Sequence, residues 1–223
     1  MKIFILILIS LSSHAQIETR LDKTKMTLVN KSVPTAIFDI RYLGNDNFVG
    51  DAVSGYKAPL CYLSHTAAKA LFLVQKEIET LGLTLKIFDC YRPQMAVDHF
   101  VRWAKDLSDT KTKTKYYPNI KKNLLFKKGY ISSKSGHSRG SSIDLTLADK
   151  LTKKELDMGT GWDYLDPKSH TANPELTLPQ RTHRLALKAI MEKYGFENYR
   201  KEWWHFTFKP EAYPKTYFNF DVL

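Results

Sequence analysis

The stretch of sequence that decides the fold is Ser135-Gly136-His137-Ser138-Arg139-Gly140-Ser141-Ser142-Ile143-Asp144-Leu145-Thr146-Leu147. Apolar and polar residues alternate strictly over 141–147, which predicts a β-strand with Ile143 on one face and Asp144 on the other. Gly140 permits a tight turn ahead of this strand. That turn lets His137 and Asp144, seven residues apart, reach one site. An acid on a strand needs solvent or a partner, and a metal ion would supply the partner.

Helices and further strands are predicted on both sides of this strand. Helical spacing of apolar residues runs from an N-cap at Ser64 to Gly82, including Leu81, and another helix fits residues 95–107 after Pro93. A third helix fits 179–194, with inward-facing residues Leu185, Ala189 and Ile190. Residues 83–88 and 203–208 are β-prone, while 108–130 and 157–179 read as loops.

Helices and strands are mixed here without a βαβ rhythm. This arrangement predicts an α+β fold: a single domain with a central, mainly antiparallel sheet, helices packed around it and the metal site at the sheet face. The 43% content of hydrophobic residues excludes a disordered chain, and two cysteines are too few for a disulfide framework or a Cys-rich zinc finger.

The net charge of +11 is concentrated in part between residues 111 and 134, which hold eight lysines. Such a segment fits either a solvated loop region or a patch for an anionic envelope polymer. Since the sequence contains no nucleic-acid-binding motif, we expect no nucleic-acid partner.

The first fifteen residues have the layout of a secretory signal peptide. Lys2 precedes an apolar run over 3–11, and Ser13-His14-Ala15 offers small residues for cleavage. The alternative is an uncleaved anchor, although the run is shorter than the roughly 20 residues that a membrane span needs. The sequence thus predicts a signal peptide at 1–15 and one domain at 16–223. The mature protein is expected to be exported, periplasmic or secreted, without stable membrane insertion.

Cys61 and Cys90 allow two interpretations. They could pair as a disulfide in an oxidising compartment, or Cys90 could be a small buried residue at the end of its strand. A nucleophilic thiol is disfavoured, because no Cys/His motif supplies a base.

A second segment with side chains suited to metal binding and catalysis is Glu202-Trp203-Trp204-His205. His205 opens an aromatic strand, where an unpaired imidazole would be costly. Together with His137 and Asp144 it gives two imidazoles and a carboxylate, the composition of a catalytic zinc site that keeps a fourth position for water. Glu202 could accept a proton from that water.

These two segments make the sequence resemble a known family, the zinc D-alanyl-D-alanine dipeptidases. This family is related to the zinc D,D-carboxypeptidases and to the hedgehog domain. The pattern Ser-x-His-x-x-Gly-x-x-x-Asp is complete at 135–144, and Glu-x-Trp-His is complete at 202–205. Further matches lie at 39–42, 89–93 and 157–163.

The resemblance implies a role for each matched residue. His137, Asp144 and His205 would hold one Zn²⁺ per chain, and Glu202 would act as general base and then as general acid. Arg92 would stabilise the oxyanion of the tetrahedral carbonyl.

The resemblance also implies a small substrate, a D,D-dipeptide. Asp163 would meet the free amine of that dipeptide, and Ser135 and Tyr42 would donate or accept hydrogen bonds to it. A carboxylate at Asp163 penalises a longer, acylated peptide, because the acid is then left unpaired.

Three functions therefore stand as hypotheses. The leading one is hydrolysis of D-Ala-D-Ala to two D-alanines. The second is a D,D-carboxypeptidase or endopeptidase that acts on peptidoglycan stem peptides, and the third is a zinc-holding binding domain without catalysis. The best-known family members act in the cytoplasm, so an export signal favours D-alanine salvage over clearance of a cytoplasmic precursor.

Overall fold

The computed structural model describes residues 16–20, 22 and 24–223. The signal peptide predicted at 1–15 lies outside the described residues. In the described part of the chain, no helix combines the length and apolar character needed to cross a bilayer. The strands are β1 (Gln16–Glu18), β2 (Met26–Leu28), β3 (Ile37–Phe38), β4 (Tyr62–Ser64), β5 (Leu83–Asp89), β6 (Ser142–Asp149), β7 (Phe196–Asn198), β8 (His205–Phe208) and β9 (Thr216–Phe218).

Helices lie between these strands, and several are a single turn long. The α-helices are α1 (Val29–Ser32), α2 (His65–Glu79), α3 (Gln94–Lys105), α4 (Lys113–Tyr116), α5 (Leu125–Lys128) and α6 (Leu178–Lys193). Short 3-10 turns cover Arg41–Leu43, Lys122–Leu124, His137–Arg139 and Pro167–Ser169.

Five strands form the central sheet in the order β3-β5-β6-β8-β7. The β3–β5 pairing is parallel, and the three other pairings are antiparallel. Strand β6 lies in the middle of this sheet. The smaller pairs β2–β4 and β1–β9 lie outside it. The predicted α+β domain with a mainly antiparallel central sheet is confirmed.

Strand β6 is buried on both faces, although its alternating sequence predicts one polar face. Ile143 and Leu145 are fully buried, and so are Ser142 and Thr146 on the opposite face. The irregular segment 157–170 covers part of that polar face, where the Trp162 indole stacks on Phe88 of β5. A central strand that is covered on both sides has to satisfy its polar groups within the protein.

Helix α2 follows its prediction closely. It begins directly after Ser64, and Leu71, Val74 and Ile78 are buried against the sheet. The helix ends at Glu79, so Leu81 falls beyond the helical face and is exposed.

Helix α6 is where predicted, but two of its three predicted inward residues are wrong. Leu185 is 52% exposed, and Ala189 is exposed as well, whereas Ile190 is half-buried and packs against the core. The buried residues are Arg184, Leu187 and Met191, about 100° around the helix. The helix turns this way because the Arg184 side chain binds backbone oxygens of the segment 157–170.

The basic segment 108–130 is more ordered than the predicted loop, since it contains α4 and α5. Two of its lysines point inward. The Lys113 ammonium donates to the carbonyls of 117, 118 and 120, and the buried Lys122 ammonium donates to those of 106 and 109. Lys111 and Lys115 pair with Asp51 and Asp46. These lysines stabilise the local fold.

Cys61 and Cys90 form a disulfide. It joins the residue ahead of β4 to the residue that follows β5. Both cysteines are buried. Of the two interpretations that the sequence allowed, the paired one is present.

Candidate metal and substrate site

Three side-chain donor atoms converge at one end of the central sheet. Nε2 of His137 lies 3.3 Å from Oδ1 of Asp144, which lies 3.0 Å from Nδ1 of His205. The two imidazole nitrogens are 3.1 Å apart. These are the three residues expected from the sequence to hold the metal, and the donor atoms of all three lie within 4.8 Å of one another.

The local fold explains this convergence. Asp144 of β6 and His205 of β8 are paired residues in the antiparallel ladder. His137 begins a 3-10 turn that ends at Gly140, whose φ of +73° lies in the left-handed region favoured by glycine. A Cβ on Gly140 would also lie 2.5 Å from the side chain of Met26. The turn brings His137 back over the strand that follows it.

Hydrogen bonds behind the cluster fix the orientation of the ligands. The Nδ1 of His137 donates to the carbonyl of Cys90 at 2.6 Å, which leaves the Nε2 lone pair facing the cluster. Trp162 Nε1 donates to Asp144 Oδ2 at 3.4 Å. Asp144 therefore directs Oδ1 toward the two histidines and Oδ2 toward the Trp162 indole.

The donor set fits a zinc ion. A tetrahedral ion with bonds of about 2.0–2.1 Å spaces its ligands by about 3.3 Å, close to the three separations observed. Imidazole and carboxylate are ligands that zinc accepts. Burial alone would raise the pKa of Asp144, but His137 and His205 hold that pKa well below its usual range. The buried acid is therefore ionised, which is the form in which a carboxylate can bind a metal ion.

Arg92 lies beside this cluster on the segment that follows β5. Its Nε donates to Asp89 Oδ2 at 2.9 Å, while Nη2 lies 2.8 Å from the same oxygen and 3.5 Å from Asp144 Oδ2. The guanidinium also lies 5.1 Å from the ring centres of Tyr42 and Phe100. This is a fixed cation beside the candidate metal ligands, not a surface ion pair.

Glu202 lies next to His205 of the cluster. Its side chain is 14% exposed, and Oε2 lies 3.9 Å from His205 Nδ1. Burial and the negative charge of Asp144 raise the pKa of Glu202 to about 8, while Arg92 and Lys201 oppose the shift. A carboxyl with this pKa can both take up and release a proton near neutral pH.

Asp163 and Tyr42 line the same cavity as the candidate ligands. Tyr42 Oη donates to Asp163 Oδ2 at 2.7 Å, and both side chains are buried. Burial, with the negative charge of Asp144, raises the pKa of Asp163 well above its usual range. A buried acid with one hydroxyl donor is suited to receive a cationic group from a ligand. Ser135 lies at the edge of the site, where its Oγ accepts from the His137 backbone N–H at 3.2 Å.

A cavity of about 310 Å³ joins these groups. Its lining includes all eight residues that the sequence singled out: Tyr42, Arg92, Ser135, His137, Asp144, Asp163, Glu202 and His205. That size suits a small ligand. The arrangement offers a metal-ligand set, a carboxyl of raised pKa, a fixed guanidinium and a buried acid within one small space.

Sequence reasoning missed the residues that support these groups. Asp89 holds Arg92 and accepts a hydrogen bond from Tyr56 Oη at 2.5 Å. The signal for it was the acid three residues before Arg92, at the end of an apolar strand. The Cys90 carbonyl that orients His137 leaves no trace in side-chain patterns, because it belongs to the backbone.

The other described histidines have ordinary partners away from the cluster. His65 contacts Thr24 and Thr27, and His183 contacts the Asp157 carbonyl. Among the described residues, neither belongs to a group of three or more His, Cys, Asp or Glu side chains that could hold a metal ion.

Comparison with known proteins places the chain in a family. The family model described as D-ala-D-ala dipeptidase matches residues 22–223. A D-alanyl-D-alanine dipeptidase of Enterococcus faecalis is 44% identical over 185 residues, which cover 83% of this chain and 92% of that protein. Proteins of the same name from Streptomyces coelicolor and Escherichia coli are 40% and 32% identical, over 87% and 86% of this chain and 96% and 90% of their own lengths. The chain belongs to the D-ala-D-ala dipeptidase family of peptidases.

Proposed function

We propose that this protein is an exported zinc dipeptidase that hydrolyses D-Ala-D-Ala to two D-alanines. The observation that carries the proposal is that one small cavity contains a three-ligand cluster, a carboxyl of raised pKa, a fixed guanidinium and a buried acid. The names of the relatives support the choice of dipeptide.

His137, Asp144 and His205 would hold the zinc ion. When bound, the zinc ion would act as a Lewis acid that lowers the pKa of water and polarises the substrate carbonyl. Side chains of the protein itself bind the substrate, orient it and exchange protons with it.

Glu202 is the proton carrier in this proposal. Its carboxylate takes a proton from the attacking water as the new carbon–oxygen bond forms. The same proton then passes to the nitrogen of the leaving D-alanine as the peptide bond breaks, which restores the carboxylate. The position of Glu202, close to His205 but not among the three converging donors, supports this role.

Arg92 stabilises the negative charge that develops on the carbonyl oxygen. Asp89 fixes the guanidinium in place before the substrate arrives, so little reorganisation is needed in the transition state. Donors that are preorganised in this way supply several kcal/mol, about 3 or more, in other hydrolases.

Asp163 sets the length of the substrate. Its buried carboxylate, oriented by Tyr42, pairs with the free ammonium of the dipeptide. An acylated amine would leave the acid buried and unpaired, which costs about 1–3 kcal/mol or more. Ser135 contributes a hydroxyl at the cavity edge for a further hydrogen bond to the substrate.

The proposal that the protein is exported draws on two features. The sequence of residues 1–15 fits a signal peptide. The buried Cys61–Cys90 disulfide fits an oxidising compartment, since such bonds are rare where thiols are kept reduced. Fractionation of the native host, with the disulfide state read by thiol labelling, tests this part.

The activity is tested by metal analysis together with a two-substrate assay. We expect about one zinc per chain, cleavage of D-Ala-D-Ala and little cleavage of N-acetyl-D-Ala-D-Ala or of an acylated stem tripeptide. Cleavage of the acylated peptides alone would establish the D,D-carboxypeptidase or endopeptidase alternative. Bound zinc with no cleavage of any peptide would establish the non-catalytic binding domain.

A further inference from the structure

Arg184 is a buried arginine whose partners are all neutral oxygens. It lies on α6 and is 1% exposed. Its Nε donates to the Met158 carbonyl at 2.6 Å, and Nη1 donates to the carbonyls of Lys168 and His170 at 3.0 and 2.7 Å. Nη2 reaches Thr160 Oγ1 at 3.5 Å. Burying a cation among carbonyls is costly, so this arrangement calls for a reason beyond packing.

The positions of these oxygens along the chain suggest that reason. Two precede Asp163 and two follow it, so a single guanidinium holds both ends of the segment 158–170. Asp163 itself has a φ of +56°, a left-handed conformation that a non-glycine residue keeps only when its surroundings impose it.

The held segment contacts the rest of the site at two points. Thr160 Oγ1 accepts a hydrogen bond at 2.9 Å from the indole of Trp203, the residue next to Glu202. Trp162 Nε1 reaches the metal-ligand candidate Asp144. A shift of the segment would therefore move the Asp163 carboxylate relative to the ligands and the base.

We propose that Arg184 is a positioning residue for substrate selection, which clamps both ends of the segment 158–170 and so holds the Asp163 carboxylate where the substrate ammonium binds. The inference rests on the proposed function and deepens it. Burial lowers the pKa of Arg184 to about 10, so the clamp stays charged at neutral pH. Without it, both ends of the segment lose these hydrogen bonds, and the Asp163 carboxyl is no longer held at the position where the ammonium binds.

The test compares two values of kcat/KM, one for free D-Ala-D-Ala and one for N-acetyl-D-Ala-D-Ala. Their ratio is the selectivity for the free amine, and the Asp163→Asn variant defines its complete loss. We expect Arg184→Met to lower the ratio about tenfold, mainly through a higher KM for the free dipeptide. Zinc content and cleavage of the acylated peptide should stay at the wild-type level.

Arg184→Lys keeps the charge but loses the planar fork that reaches both ends of the segment. We expect a ratio between those of the wild type and Arg184→Met. This variant also decides the question if Arg184→Met does not fold, because wild-type selectivity in Arg184→Lys would then overturn the inference.

Leu187→Ala is the matched control. Leu187 lies one turn further along α6 and is fully buried, but its side chain has no hydrogen bond to the segment. Its loss should lower the melting temperature and leave the ratio unchanged. An equal fall in the ratio for Leu187→Ala, or a wild-type ratio for Arg184→Met, would show that Arg184 serves stability only. If the wild type fails to cleave the free dipeptide, the proposed function fails and this inference fails with it.

Discussion

Asp144 and His205 are direct cross-strand partners on β6 and β8, with their donor oxygen and nitrogen 3.0 Å apart. On its other side, Asp144 is paired with Asp89 of β5. One row across three strands thus contains two metal-ligand candidates and the acid that holds Arg92. Backbone pairing fixes this row, so the site is built largely before any ligand binds.

Removal of a single imidazole should abolish metal binding while the fold persists. We expect His137→Ala to lose bound zinc and to reduce turnover of D-Ala-D-Ala to background, because two ligands no longer hold the ion tightly. Metal analysis and circular dichroism check this. The control is His65→Ala, whose ring contacts Thr24 and Thr27 away from the site. Full zinc content in His137→Ala would remove this residue from the ligand set.

Glu202→Gln should separate proton transfer from metal binding. The amide keeps the shape of the side chain but cannot accept the proton, so we expect kcat to fall by about 10²–10⁴ with zinc content unchanged. Glu197→Gln, on the exposed face of β7, is the matched control. Activity near the wild-type level in Glu202→Gln would exclude Glu202 as the base.

Loss of the disulfide should cost stability. The two cysteines are 29 residues apart, and closing a loop of that length contributes about 3–4 kcal/mol to the free energy of unfolding. We therefore expect a Cys61→Ala/Cys90→Ala double variant to unfold at lower urea concentration. Zinc affinity should also fall, because the Cys90 carbonyl orients His137. Unfolding curves that coincide for the wild type and the double variant would contradict this.

The Glu211 carboxyl should make the free energy of unfolding depend on pH in the acid range. Burial raises its pKa, but hydrogen bonds from Arg139, at 2.6 and 2.9 Å, and from Lys209, at 3.0 Å, together outweigh burial and lower the pKa below the ordinary value of 4.5. A carboxyl with a lowered folded-state pKa contributes stability above its unfolded value and loses that contribution as pH falls through the folded value.

Glu211→Gln should therefore be less stable than the wild type at pH 7, with the difference shrinking below about pH 4.5. Urea unfolding at a series of pH values measures it, with Glu197→Gln as the surface control. A difference that stays constant from pH 7 to pH 3 would show that protonation of Glu211 does not change the stability of the protein.

The sequence predicts the parts of this protein that have a local signature. The strand around Asp144 and the helix after Ser64 follow from periodicity, and the metal-ligand candidates follow from residue types at fixed spacing. Two of the three residues predicted to face inward on α6 are exposed, because the orientation of this helix depends on Arg184 binding a distant loop. Apolar periodicity gives no indication that an arginine will point into the core.

The supporting groups of the site were accessible to sequence reasoning only in part, since the acid before Arg92 is a signal but its position beside Asp144 is not. The Cys90 carbonyl acts through backbone position, and the pairing of Asp89 with Asp144 depends on a register shift in β5 between Ile87 and Asp89. Such a bulge is set by tertiary packing, so no residue type marks it in advance.

The lysines of the basic segment that have partners within the fold affect how strongly this protein binds to anionic polymers and resins. Four of the eight lysines between 111 and 134 already have partners within the fold, either carboxylates or backbone carbonyls. The count of eight lysines therefore overstates the number of free ammonium groups that a flexible polyanion would meet at this surface. Retention on a cation exchanger should fall short of that of an unfolded chain of equal charge, in which every ammonium is free.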